Sequence, residues 1–531
     1  MSHKNDLENK VIISSRGAVG RLFSRRVFLK MAGLTALSTA AAGCAPSRTN
    51  GAAAAPPSRR ADVEVMLTAQ ETEWELAPGK VIKAWTYNGT VPGEAIRVHE
   101  GDRVRVILKN ELPEPTTIHW HGVDVPTKMD GVPDISQPAV QPGKTFVYEF
   151  EARPAGTRWY HTHFNSAQQQ DLGLSAPFII EPLTAGAPTG QEYTLLLDDW
   201  VTTPTPSNES PEDGAMMDGG GMMGGMMGGR GMMGGDSSDG DDMMGGMMGG
   251  GMMQGMMGND GPAYDTFTIN GKAFPATEPL KVKRGERVRL RLINASNMQT
   301  FTLRLAGHGL QVTHTDGNPL QTPVEVDVLS IAPAERYDVT FVADNPGKWP
   351  LYALDAAHVE GGLKTLVVYE GSELAAEAEI PGTEGRLRLW SYGLGQGVEV
   401  LPSARGREQS FELLLSGGPM MSADPNVWTI NGKVYPDTDL LSIQRDQPVF
   451  VQLFNMSMHA HPFHLHGQSF RVLSVNGQGL AAPLIKDTVD VPAMMGTVEL
   501  EFVAFNPGDW LFHCHKPLHM EGGMVTLVKI G

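Results

Sequence analysis

Ten of the sixteen histidines fall in four short runs: HWHG at 119–122, HTH at 161–163, HPFHLHG at 461–467 and HCHKPLHMEGGM at 513–524. Core packing does not bunch histidine in this way, and imidazole at this density is metal-ligand chemistry. On an extended strand residues two apart face one side, so each His-x-His presents two imidazoles to one site. His119, His121, His161, His163, His464, His466, His513 and His515 make eight such ligands, too many for one ion. The same alternation turns Cys514 away from its neighbours His513 and His515. A thiolate with His461, His519 and a weak axial Met524 is the two-histidine, one-cysteine set of a blue copper centre. Structural zinc does not fit, because zinc sites close with four ligands and need no lone cysteine beside eight further histidines. Several ions next to one thiolate site point to multi-electron chemistry.

The elements that must position these ligands repeat three times. WTYNGTVPGEAIRVHEGDRVRVILKN (85–110), FTINGKAFPATEPLKVKRGERVRLRLIN (267–294) and WTINGKVYPDTDLLSIQRDQPVFVQLFN (428–455) each carry an Asn-Gly turn followed by alternating apolar residues, which reads as a turn feeding β-strands. RPAGTRWYHTH (153–163), NPGKWPLYALD (345–355) and NPGDWLFHCH (506–515) form a second set that closes each unit. KTFVYEFEA (144–152), TLVVYEG (365–371) and VELEFVAF (498–505) alternate on a period of two, and no comparable segment has a helical period. The expectation is all-β, a Greek-key sandwich used three times. The middle unit has Tyr352 and Leu354 where the others carry ligands, so it reads as a spacer, with His308, His314 and His358 as structural or surface histidines.

Length and charge agree with this layout. A chain of 531 residues suggests about three domains. A net charge of −18 disfavours nucleic acid as a partner and favours small molecules and cations. The twin-arginine stretch SRRVFLK (24–30), followed by an apolar run from Met31 to Ala42, matches an export signal and is too short to span a bilayer. AAGC (41–44) resembles the lipobox of bacterial lipoproteins, which would acylate Cys44 and make a lipid anchor the one membrane contact; Ala41 stands where leucine is more usual, and plain cleavage nearby is the alternative. Residues 45–61 read as a linker. With one cysteine left after processing, no internal disulfide forms, and Cys514 needs another role.

In this order the four motifs resemble those of the three-domain multicopper oxidases, the laccase and copper-efflux-oxidase group, and the resemblance covers 62–531. It implies three consecutive cupredoxin-like domains at 62–185, 190–375 and 385–531, and four copper ions. It assigns type 1 copper to His461, Cys514, His519 and Met524, and type 2 copper to His119 and His464. His121, His161 and His515 would hold one ion of the type 3 pair, and His163, His466 and His513 the other. Dioxygen, reduced to water, is the acceptor it implies. Asp130, eleven residues after His119, matches an acidic residue that feeds protons to the oxygen site, which with Cys514 makes the expected catalytic pair. Copper-efflux members often carry an acid directly after the last histidine ligand; here Met520 stands there, with Glu521 next.

Methionine points to the donor. Residues 215–258 repeat Gly-Met-Met and hold 16 of the 29 methionines, a glycine-rich loop whose soft thioethers suit Cu(I). Met456, Met458 and His459, just before His461, are further candidates for a donor-side copper site. The reading is a monomeric exported cuprous oxidase of the periplasm or outer cell surface. Its alternatives are a laccase acting on phenols or aromatic amines, a copper-sequestering protein without turnover, and a copper nitrite reductase, which does not need two His-x-His pairs in each of two units.

Overall fold

The computed structural model describes residues 62–184, 190–203, 261–379, 387–390, 392, 409–419 and 421–531. The twin-arginine stretch, Cys44, the linker at 45–61 and the methionine-rich segment at 215–258 lie outside the described residues.

Among the described residues six sheets fall along the chain into three sets of two, with four and four strands in the first, six and five in the second, and six and five in the third. The α-helices among the described residues are short, Ser166–Gln169, Ala356–Glu360 and Pro517–Glu521, with a 3-10 turn at Thr127–Met129. Each set contains the same parallel pair: Val63–Ala77 beside Arg103–Asn110, Gln191–Trp200 beside Arg287–Asn294, and Ser410–Gly417 beside Pro448–Asn455.

The internal repeat extends to single residues. Asn88-Gly89, Asn270-Gly271 and Asn431-Gly432 all have positive φ at both positions, the two-residue hairpin turn that Asn-Gly favours. Asn110, Asn294 and Asn455 end equivalent strands as buried latches. Their side-chain amides donate to Glu114 and Val140, to Gln299 and Ile331, and to His459 and Pro492 carbonyls. Each Oδ1 accepts from the N–H two residues on, at Leu112, Ser296 and Ser457. The third latch therefore fixes the turn that leads into His461. A buried amide satisfied on all sides is worth keeping, since losing its partners costs about 1–3 kcal/mol each.

The histidine-bearing strands are short; His119–His121 is the edge strand of its four-stranded sheet, whereas Gly156–His161, His461–Leu465 and Gly508–Cys514 each have a neighbour on both sides. His119–His121 pairs antiparallel with Gly156–His161, placing His119 opposite His161. In the third set His461–Leu465 pairs with Gly508–Cys514, placing His464 opposite His513 and Phe463 opposite Cys514. First and third units meet beside these strands, where Asn506 Nδ2 donates to the Val125 carbonyl at 3.0 Å and Thr127 Oγ1 to the Pro507 carbonyl at 2.9 Å.

Candidate metal centres

Strand alternation acts on the two ligand-bearing units in parallel ways. Trp120, between His119 and His121, turns into its own sandwich and packs on Tyr148, Phe150, Tyr160 and Phe178. Cys514, between His513 and His515, turns the same way into the third unit, where it meets two imidazoles instead of aromatics. Its Sγ lies 3.5 Å from His461 Nδ1 and 3.6 Å from His519 Nδ1, and those two nitrogens are 3.0 Å apart. All three residues are fully buried. Met524 is buried on the same loop, its carbonyl accepting from Cys514 N at 3.1 Å and its N–H donating to the His519 carbonyl. His461 is oriented by Ser457, whose Oγ sits 2.7 Å from Nε2, and His519 by the Trp428 ring stacked on it at 3.8 Å.

The other eight imidazoles converge on the far side. Ligand-capable atoms group as His119, His121 and His464; His121, His161 and His515; and His163, His466 and His513. Burial, reinforced by neighbouring imidazoles, holds His121, His161, His163, His464, His466 and His515 well below the usual histidine range, and burial brings His513 down to about 4. They are therefore neutral, as metal ligation requires.

Outer-nitrogen hydrogen bonds fix which atom faces inward. Nδ1 donates to a carbonyl in His119 (Asp130 O, 2.9 Å), His161 (Thr162 O, 2.8 Å), His464 (Asp487 O, 2.8 Å) and His513 (Cys514 O, 2.8 Å). His466 Nδ1 donates to Asp130 Oδ2 at 2.9 Å, whereas His121 uses Nε2, toward Asp487 Oδ1 at 3.0 Å. What remains inward are lone pairs. His119 Nε2, His121 Nδ1, His163 Nε2, His464 Nε2 and His515 Nδ1 are buried without a hydrogen-bond partner. His466 Nε2 and His513 Nε2, both unprotonated in this arrangement, face each other at 3.0 Å. Two lone pairs at that distance repel unless a cation lies between them, and each unsatisfied buried nitrogen costs about 1–3 kcal/mol. The donor set fits copper, imidazole throughout and one thiolate.

Asp130 is not a solvated turn residue but a buried one, 1% exposed. It holds His119 through its carbonyl and His466 through Oδ2, while Oδ1 stands 3.2 Å from the already engaged His119 Nδ1. Gly131 makes this approach feasible: at φ +82° its Cβ would lie 1.8 Å from the Ile118 carbonyl oxygen. Met520 lines a small void shared with His161, His163, Ser166, Gln170 and His513. Glu521 turns instead to the helix at Ser166, accepting from Ala167 N at 3.0 Å, and burial raises its carboxyl.

Two positioning residues have no motif to announce them. Asp487 binds both His121 and His464; burial would raise its carboxyl, and the Arg336 charge and hydrogen bonds outweigh this and hold it below the usual range. Arg336 comes from the middle unit. The histidines of that unit are engaged structurally: His308 bonds the Ala306 carbonyl and Tyr369 Oη, His314 bonds Thr313 Oγ1, and His358 packs on Phe267 and Phe301.

Comparison with known proteins agrees with this chemistry. Three family models, each described as multicopper oxidase, match residues 68–185, 191–372 and 415–531. Multicopper oxidase MmcO of Mycobacterium tuberculosis is 33% identical, over 95% of this chain and 96% of its own. A copper resistance protein A homolog of Pseudomonas syringae is 27% identical, over 88% of this chain and 92% of its own. Among solved structures, a multi-copper oxidase from Pseudomonas thermotolerans superposes with a TM-score of 0.64 at 27% identity, covering 89% of this chain and all of that one.

Proposed function

We propose that this chain, which belongs to the multicopper oxidase family, takes its electrons from Cu(I) and works outside the cytoplasm in copper tolerance. Members of the family bind four coppers and couple a small-molecule donor to dioxygen. In our assignment His461, Cys514, His519 and Met524 hold type 1 copper, and His119 and His464 hold type 2. His121, His161 and His515 hold one type 3 ion, and His163, His466 and His513 the other. When bound, the coppers supply one-electron steps and a store of four electrons for dioxygen. The chain's own part is to aim these imidazoles, to join the thiolate covalently to His513 and His515, and to place the Asp130 carboxyl beside His119 and His466, where it can relay protons to the oxygen site.

The observation that carries the donor reading is a methionine rim beside His461. Val491 pairs with His461, and the loop after it places Met494 and Met495 outward, 53% and 60% exposed, both at positive φ. Their N–H groups bond back to the Ser457 and Asn455 carbonyls at 2.9 and 2.8 Å. Half-buried Met456, Met458 and His459 lie on that same turn. Exposed thioethers in left-handed backbone are an unfavourable use of methionine for packing and a favourable one for a soft cation. The sixteen methionines of 215–258 are a second reservoir of the same chemistry. Relatives named copper resistance protein A support the role, and the twin-arginine segment supports export.

Oxygen uptake with Cu(I) and with a phenolic donor tests this in the full chain, in a deletion of 215–258 and in Met494→Ser/Met495→Ser. We expect each change to lower kcat/KM for Cu(I) at least roughly tenfold, about the loss of one good ligand contact, with the phenol unaffected. Unchanged Cu(I) turnover in both variants rejects the reading, and a preference for the phenol in the intact protein makes it a laccase.

A further inference from the structure

The middle unit contributes no histidine to the clusters, yet two of its buried side chains grip the residue that aims His121. Arg336, at the start of the strand Arg336–Val342, forks onto Asp487, with Nη1 2.6 Å from Oδ1 and Nη2 2.5 Å from Oδ2. Asp316, also of the middle unit, accepts from the Asp487 and Thr488 N–H groups through Oδ2, at 3.1 Å each. Asp487 is thereby fixed through both its carboxylate and its backbone. It passes that fixation on, accepting from His121 Nε2 at 3.0 Å and, through its carbonyl, from His464 Nδ1 at 2.8 Å. Thr488 Oγ1 adds a contact to each imidazole, at 3.1 and 3.2 Å.

The surrounding charges balance within a dry volume. Arg158, Arg336 and Lys486 face Asp316, Glu335 and Asp487, all with side chains no more than 2% exposed. Such a cluster is expensive to desolvate and does not outperform apolar packing for stability alone, so its retention calls for another use. Gly122, the glycine of HWHG, shows how tightly it is fitted: a Cβ there would lie 2.5 Å from both Arg336 Nη2 and Asp487 Oδ2.

We infer that Arg336 is a positioning residue for the three-copper cluster, acting through Asp487 to fix His121 with Nδ1 inward and His464 with Nε2 inward, so that the middle unit is part of the oxygen-reducing site. Partners behind a metal ligand orient it and set its basicity, and losing one typically costs about 10–100-fold in affinity or activity. A planar bidentate fork fixes the plane of the carboxylate, which a lysine would not reproduce. The inference is independent of which donor feeds the enzyme.

The test uses the copper-loaded full chain with Arg336→Gln, Arg336→Lys and Asp487→Asn. Copper per chain, the blue absorption of the thiolate site, the near-ultraviolet absorption of the type 3 pair and the type 2 electron paramagnetic resonance signal are read beside kcat and KM. We expect Arg336→Gln and Asp487→Asn to keep the blue absorption and the KM for the donor. Both should lose at least half of the type 3 absorption and about tenfold or more in kcat, with Arg336→Lys between them and the parent. Wild-type type 3 absorption and type 2 signal in both variants overturn the inference. If Arg336→Gln fails to accumulate, the near-isosteric Asp487→Asn decides alone, and parallel loss of blue and type 3 absorption there marks a merely structural role and also overturns it.

Discussion

Cys514 Sγ and His461 Nδ1 lie 3.5 Å apart on antiparallel strands, with His519 Nδ1 closing the triangle. The strand that brings the thiolate here carries His513 to the opposite face, where it meets His466 at 3.0 Å. Cys514→Ser should therefore abolish the blue absorption and donor oxidation while leaving the type 3 absorption in place, since no other side chain changes face. Visible and near-ultraviolet spectra of the same sample check this. Joint loss of both bands would mean that the two centres are not built separately.

Ser457 controls the outer nitrogen of His461 at 2.7 Å. Removing that hydrogen bond in Ser457→Ala weakens the imidazole as a donor to the oxidised metal, so the type 1 potential should rise, by on the order of tens of millivolts. Redox titration of the blue absorption measures it, and a fall in potential would contradict the orientation assigned to His461.

Asp130 holds His119 through its carbonyl and His466 through Oδ2, and we assign it to proton delivery. Asp130→Asn retains much of the shape but not the proton carrier, and Asp130→Ala removes both. The expected result is a fall in kcat of about 10–100-fold for Asn and more for Ala, at unchanged KM for the donor. Parent-like kcat in Asp130→Asn would separate Asp130 from proton delivery.

Asp490 gives a stability test. Burial, then the nearby Glu335 charge, raises its carboxyl from 3.8 to about 7, and Oδ1 has no partner. Between these values the folded state binds the proton more tightly than the unfolded chain, so stability is lost as pH rises from about 4 to 7. Asp490→Asn removes the ionisation, and its stability, read from melting temperature, should gain on the parent as pH rises from 5 to 8, by up to roughly 3 kcal/mol. A difference that does not change with pH would show that Asp490 titrates normally in the fold.

The convergence of the histidines was legible because a period of two is unambiguous: HWH, HTH and HCH each specify which side chains share a face, and the structure brings their ring nitrogens together. The triple repeat was equally visible in its Asn-Gly turns, and the strand-ending Asn latches lay in the quoted segments without their role being apparent. Asp487 and Arg336 were not legible. Each is a single charged residue in an ordinary strand pattern, remote in sequence from the histidines it serves, and its importance arises only when three units close around Gly122. For the same reason the middle unit, lacking histidine pairs, reads as a spacer although it supplies Arg336 and Asp316. Asp130 could be found by resemblance, but its burial and its double grip on His119 and His466 come from Gly131 and the turn, which no spacing rule predicts.

The most direct measurement is the ratio of dioxygen consumed to Cu(I) oxidised by the copper-loaded protein, above a protein-free control and with peroxide assayed in parallel. Four one-electron donors and four protons are needed to take one dioxygen to two waters, so the account predicts four Cu(I) oxidised per dioxygen and no accumulated peroxide. Two Cu(I) per dioxygen with peroxide as product, or no uptake above the control at full copper loading, would contradict it.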